Sequence, residues 1–110
     1  YKGPSAIILS RQNLPELAST DVAYAEGMGK GAYIIKKEKS GSIDFTFFST
    51  GSEVSLTLEA GERLEKMGKN VRVVSMPCWA LFDKQSESYR NGVIGGDLGV
   101  RVAVEAGVDF

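Results

Sequence analysis

At 110 residues, with 43% hydrophobic and 25% charged residues and a formal net charge of −1, the chain has the make-up of one ordinary globular domain. Its lysines and glutamates are interspersed, so no basic stripe exists to meet a nucleic acid backbone. Its longest apolar run falls far short of the ~20 residues that a membrane helix needs. There is no histidine, so the usual general-base, triad and zinc arrangements lose their commonest member, which argues against a self-contained hydrolase or metalloenzyme. The single cysteine, Cys78, cannot form an internal disulfide and suits a reducing compartment, with a cytoplasmic setting expected. The chain opens Tyr1-Lys2-Gly3-Pro4 without an initiator Met, which reads as the interior of a longer polypeptide.

Taken in order, Ala6, Ile7, Ile8 and Leu9 make a short, largely β-branched run after Gly3-Pro4, expected to form a buried strand. Residues 10–15 follow as a loop at its carboxyl end. From 16 to 30 the apolar pattern is weak and Gly27, Gly29 and Gly31 punctuate it, which predicts a linker containing a helical turn. Residues 32–35 read as a strand, and 36–42, rich in lysine and serine, as a solvated charged turn. Residues 43–48 are apolar nearly throughout, as in a parallel strand covered on both faces.

Residues 50–53 then lead into a helix ending near Met67, with Thr50 and Glu53 spaced as a capping box and Ser52 as an alternative N-cap. Val54, Leu58, Gly61 or Glu62, and Leu64 trace its facing stripe, widened by Leu56, Ala60 and Met67. Gly68 ends it. Residues 71–75 form the next strand, closed by Pro77. Asp83 is placed to cap a helix running to Asn91 and ended by Gly92, and residues 100–104 form a last strand. Strands alternating with helices across short connections predict an α/β fold: a three-layer, mostly parallel sheet, left incomplete because no helix follows the last strand.

Few residues stand out as chemistry. Thr50-Gly51-Ser52-Glu53 sits at a strand-to-helix junction, where free N–H groups and the macrodipole favour anions. It carries neither GxGxxG nor GxxxxGK[ST], and a tight turn alone explains Gly51. Arg11 lies just past the first strand, at the sheet end where α/β proteins gather ligands, and its planar fork suits phosphate or carboxylate. A surface ion pair is the competing account on spacing alone, and Gln12 and Asn13 serve equally as turn formers. Cys78 has no His to activate it and reads as a small hydrophobe. Trp79, Leu81 and Phe82 form an apolar cluster expected to pack on the sheet or on a neighbouring domain. Glu53, Asp83, Glu87 and Glu105 are scattered, and nothing pairs two of them for acid–base work.

Several stretches, in order, resemble transketolase: residues 3–15 (Gly3-Pro4-Ser5 through Ser10-Arg11-Gln12-Asn13-Leu14-Pro15), 49–54 (Ser49-Thr50-Gly51-Ser52-Glu53-Val54), 71–77 (Val71-Arg72-Val73-Val74-Ser75-Met76-Pro77), Phe82-Asp83-Lys84-Gln85 with Tyr89-Arg90, and 101–107 (Arg101-Val102-Ala103-Val104-Glu105-Ala106-Gly107). The resemblance covers essentially the whole chain. It implies residues 1–30 as the end of a pyrimidine-binding domain and its linker, and residues 31–110 as a C-terminal domain that continues beyond Phe110.

It implies further an enzyme of the pentose phosphate pathway that moves a two-carbon ketol unit between sugar phosphates. Such an enzyme uses thiamine diphosphate with Mg2+ or Ca2+, works as a homodimer, and has no nucleic acid or membrane partner. The family's cofactor-activating glutamate, substrate-facing histidines and metal ligands lie outside this chain, so no catalytic, cofactor or metal residue is assigned here and the isolated segment is expected to be inactive. One site residue carries over: Arg11, in Ser-Arg-Gln-Asn-Leu-Pro, matches the arginine that contacts the sugar phosphate. A related thiamine enzyme is the alternative of the same class: dihydroxyacetone synthase, which shares much of this motif set, or deoxyxylulose-phosphate synthase. A freestanding module binding a small anion at Gly51-Ser52 is the alternative of a different class.

Overall fold

The computed structural model of the chain describes residues 3–7, 9–14, 22–96 and 99–107. Its elements are α1 (Val22–Lys30), β1 (Tyr33–Lys36), β2 (Phe45–Ser49), α2 (Glu53–Lys66), β3 (Val71–Ser75), α3 (Trp79–Phe82), α4 (Glu87–Ile94) and β4 (Val100–Val104). The strands form one sheet in the order β1-β3-β2-β4. β2 runs parallel to both β3 and β4, while β1 lies antiparallel on β3. The expected mostly parallel sheet is therefore present, with one antiparallel edge. Its cause is the helix-free connection between β1 and β2, because parallel strands need a crossover of about a dozen residues, usually helical.

β3 holds the layers together. All five of its residues are buried, and its side chains alternate between two covered faces. Val71 and Val73 point toward α2, where Gly61 lets the helix approach so closely that a Cβ there would stand 3.1 Å from Val73 Cγ2. On the other face Val74 packs with Ala32, Phe82 and Val93, and Ile34, Phe48, Met76, Tyr89 and Ile94 surround that cluster. The result is the expected three layers, with α2 on one side of the sheet and α3 and α4 on the other.

Several local expectations are corrected. Residues 6–9 form no strand where described: Ile7 is 84% and Leu9 80% exposed, and Ile8 lies outside the described residues. A strand needs a ladder partner, and the sheet's strands are β1 to β4 alone among the described residues. The weakly patterned stretch before Gly31 carries more helix than one turn, since α1 spans Val22–Lys30, with 15–21 outside the described residues. The capping box does not form. Ser52 is the N-cap residue but makes no cap bond to the backbone, and its hydroxyl instead donates to Glu53 Oε1 at 2.8 Å. On α2, Val54, Thr57 and Gly61 are the buried residues, and Leu56 and Met67 are exposed.

The helix expected from Asp83 to Asn91 begins later, as α4, and a separate short helix precedes Asp83. α3 ends at Phe82 with Asp83 as its C-cap residue, and α4 starts at Ser86, whose hydroxyl accepts the Tyr89 N–H at 3.2 Å. Gly92 lies inside α4, and Gly95, with φ of 88°, supplies the left-handed C-cap. Gly68, at φ of 82°, follows α2 as expected.

Gly31 is where the chain turns from α1 into β1, at φ of 86°, with its carbonyl accepting the Cys78 N–H at 3.0 Å. A Cβ there would overlap the Cys78 carbonyl oxygen and the Phe82 nitrogen. Next to it, Tyr89 Oη donates to the Ala32 carbonyl at 2.8 Å and Lys30 Nζ sits 4.8 Å from the Tyr89 ring centroid. Gly31→Ala forces both a left-handed backbone and a steric overlap, so chemical denaturation should show a loss of more than about 1 kcal/mol. Unchanged stability would contradict this packing.

The charge of Arg72 is buried in β3. Its Nη2 and Nε donate to Glu38 Oε1 and Oε2 at 2.6 and 2.8 Å, and Nη1 donates to the carbonyls of Gly92 and Val93 at 2.7 and 3.3 Å. The two side chains are only 8% and 9% exposed. Glu38, expected in a solvated turn, is instead the counter-ion of the central strand. Arg72 holds its carboxyl below the ordinary value of 4.5.

Because the folded value is the lower one, the stabilisation is complete above the unfolded value and fades as pH falls through the folded one. Arg72→Ala strands a buried carboxylate and two carbonyls, and should cost about 3–5 kcal/mol in urea unfolding at neutral pH. Glu38→Gln should also lower neutral-pH stability, by an amount that shrinks as the solution is acidified below 4.5. A gap independent of pH would show that the pair does not hold the fold.

Candidate functional site

The only site residue expected from the sequence, Arg11, lies in the opening segment and not on the sheet. Residues 9–14 are exposed and form neither helix nor strand. The chain bends at Arg11 and Gln12, and Ser10 Oγ accepts the Gln12 backbone N–H at 3.1 Å. A guanidinium on such an exposed turn is accessible to an anion and offers a planar fork of N–H donors. Arg11 thus does not follow a buried strand, as the reading of residues 6–9 required, yet it is presented to solvent on a local turn.

The other location singled out, Thr50-Gly51-Ser52-Glu53, lies where expected, between β2 and α2. The Glu53 N–H reaches back to the Thr50 carbonyl at 3.3 Å and the Val54 N–H to that of Gly51 at 3.4 Å. Glu53 itself places an acidic side chain in the first turn, satisfying the helix dipole with a charge of the protein's own. A shallow, mainly apolar groove lies beside this turn at the carboxyl ends of β2, β3 and β4, lined by Phe48, Ser49, Thr50, Met76, Trp79, Ala103, Val104 and Glu105. Of the apolar cluster after β3, Phe82 enters the core at 5% exposure, while Trp79 remains 72% exposed on this groove. Arg11 is not among its lining residues.

Glu105 Oε1 accepts the backbone N–H groups of Ala106 and Gly107 at 3.0 and 3.3 Å, and Asp83 and Glu87 sit at helix ends. Among the described residues no three His, Cys, Asp or Glu side chains gather as metal ligands, and no helix is long and apolar enough to cross a membrane. Cys78 is half-buried, with its N–H bonded to Gly31.

Sequence reasoning missed the charged groups that matter most to the fold. Arg72 sits inside the apolar run Val71-Arg72-Val73-Val74, and a charge in a central strand must find a partner, so the signal was there although the partner was not. Glu65 takes both Lys36 and Lys39, at 2.6 and 3.1 Å, and the contact with Lys36, then that with Lys39, holds its carboxyl below the ordinary value.

Comparison with known proteins places these features in a family. The family described as "Transketolase-like TK C-terminal domain" matches residues 31–110. The chloroplastic transketolase of Solanum tuberosum is 46% identical over 110 residues, covering 99% of this chain and 14% of that protein. Transketolase 2 of Escherichia coli strain K12 is 44% identical over 108 residues, covering 98% of this chain and 16% of its own length. Among solved structures, transketolase from Leishmania mexicana superposes with a TM-score of 0.75 at 37% identity, over 89% of this chain and 14% of that one. A Pichia stipitis transketolase in complex with sedoheptulose-7-phosphate gives 0.72 at 39% identity, over 86% of this chain and 13% of that one. The chain therefore spans about one-seventh of the length of the curated relatives it matches.

Proposed function

Because this chain belongs to the transketolase family, we propose that the polypeptide carrying it transfers a two-carbon ketol unit between sugar phosphates, as a step of the pentose phosphate pathway. The observation that carries this reading is the 46% identity to a transketolase across 110 residues. A relative crystallised with sedoheptulose-7-phosphate supports a sugar phosphate as the substrate class. Thiamine diphosphate with Mg2+ or Ca2+ would supply the carbanion chemistry. The described residues do not fit that group, since they offer no cluster of metal ligands and the chain has no histidine; the cofactor belongs to other segments, and no step here runs through it. We place the enzyme in the cytoplasm as a homodimer; the plant relative's name puts that protein in the chloroplast.

Within this scheme the two parts of the chain divide the work, residues 1–30 ending the pyrimidine-binding domain and 31–110 forming the start of the C-terminal domain. Arg11 binds the substrate phosphate. An arginine fork on a phosphate makes charge-assisted, bidentate hydrogen bonds, and binding energy gained at this remote anion holds the ketose carbonyl near the reacting carbon. The C-terminal sheet contributes a rigid body, with its charges paired internally through Arg72–Glu38 and Glu65–Lys36.

The test uses the full-length enzyme with its cofactors. Arg11→Ala should lower kcat/KM for phosphorylated sugars by about 10- to 100-fold, mostly through KM, and far less for unphosphorylated ones. Equal losses on both substrate types would remove the phosphate role.

A further inference from the structure

Resting on the proposed phosphate role of Arg11, we infer that Ser10 is a positioning residue that presents this guanidinium to the sugar phosphate. Ser10 Oγ accepts the Gln12 N–H at 3.1 Å, closing a local turn of a kind that serine hydroxyls form with the backbone two residues on. Arg11 is the residue enclosed by that bond, and the backbone bends at Arg11 and Gln12. Ser10, Arg11 and Gln12 lie in neither helix nor strand, so helix or sheet hydrogen bonds do not set the backbone direction here.

An arginine side chain carries much rotamer freedom, which binding must quench. If the backbone beneath it is also loose, both must be ordered when phosphate arrives. With the turn closed beforehand by the serine hydroxyl, only the side chain remains to be ordered, and the N–H of Gln12 is already satisfied. Alanine removes the acceptor. Threonine keeps it.

The experiment compares Ser10→Ala, Ser10→Thr, Arg11→Ala and the Ser10→Ala/Arg11→Ala double variant in the full-length enzyme, with phosphorylated and unphosphorylated substrates. Ser10→Ala should raise KM for the phosphorylated substrate by about three- to tenfold, the worth of one hydrogen bond, with a smaller change in kcat and a smaller KM change for the unphosphorylated one. Ser10→Thr should restore most of the loss. In the Arg11→Ala background the serine change should add nothing, because a residue acting through another has no effect once the other is gone. A normal KM for Ser10→Ala beside an impaired Arg11→Ala overturns this inference alone, as does a double variant whose losses multiply. An Arg11→Ala enzyme with unaltered phosphate discrimination overturns the arginine's role and this inference with it.

Discussion

A charge buried in the central strand is the constraint around which this fold is arranged. β3 is covered on both faces, so the guanidinium of Arg72 is largely shut off from water and needs a partner where it stands. Glu38 is that partner through two short bonds, and the carbonyls of Gly92 and Val93 take a third donor. One side chain thereby ties together the connection after β1, the middle of the sheet and the end of α4. Three pieces of chain distant in sequence depend on a single guanidinium, and each also contributes apolar residues to the sheet's two faces or lies next to those that do. Burial of Val71, Val73 and Val74 supplies the driving force that brings the hydrophobic layers together.

The same arrangement explains why the sheet body offers little chemistry. Several of its acidic and basic side chains are committed to one another: Arg72 to Glu38, Lys36 and Lys39 to Glu65, Arg63 to Glu59. The groove at the carboxyl ends of the strands is mainly apolar, with the exposed face of Trp79 on it. The exposed arginine of the opening segment is different in kind, standing on a local turn outside the sheet. The chain thus joins a packed scaffold to an exposed turn, and amounts to about one-seventh of its relatives' length.

How much could be read beforehand follows from which interactions are local. β3 was legible to the residue because a β-branched run bounded by Asn70 and Pro77 has few alternatives, and α2 ended at Gly68 because only a residue tolerant of positive φ ends a helix that way. The antiparallel edge was missed because the expectation of a mostly parallel sheet did not weigh the short, helix-free connection after β1. Ser86 rather than Asp83 starts α4 because both residues can cap and packing decides between them. Glu38 looked like one more charge in a lysine-rich turn, and only the fold brings it to Arg72. The proposal of Arg11 as a phosphate ligand comes from family resemblance and not from spacing, because the strand expected before it does not form among the described residues.

The central functional claim is that the arginine of the opening turn grips the anionic end of the substrate while the sheet body holds the framework. A crystal structure of the full-length enzyme with a bound sugar phosphate tests it most directly. The Arg11 guanidinium should lie within about 3 Å of the phosphate oxygens, in paired N–H contacts. A phosphate held entirely by other groups, with Arg11 facing solvent, would contradict it.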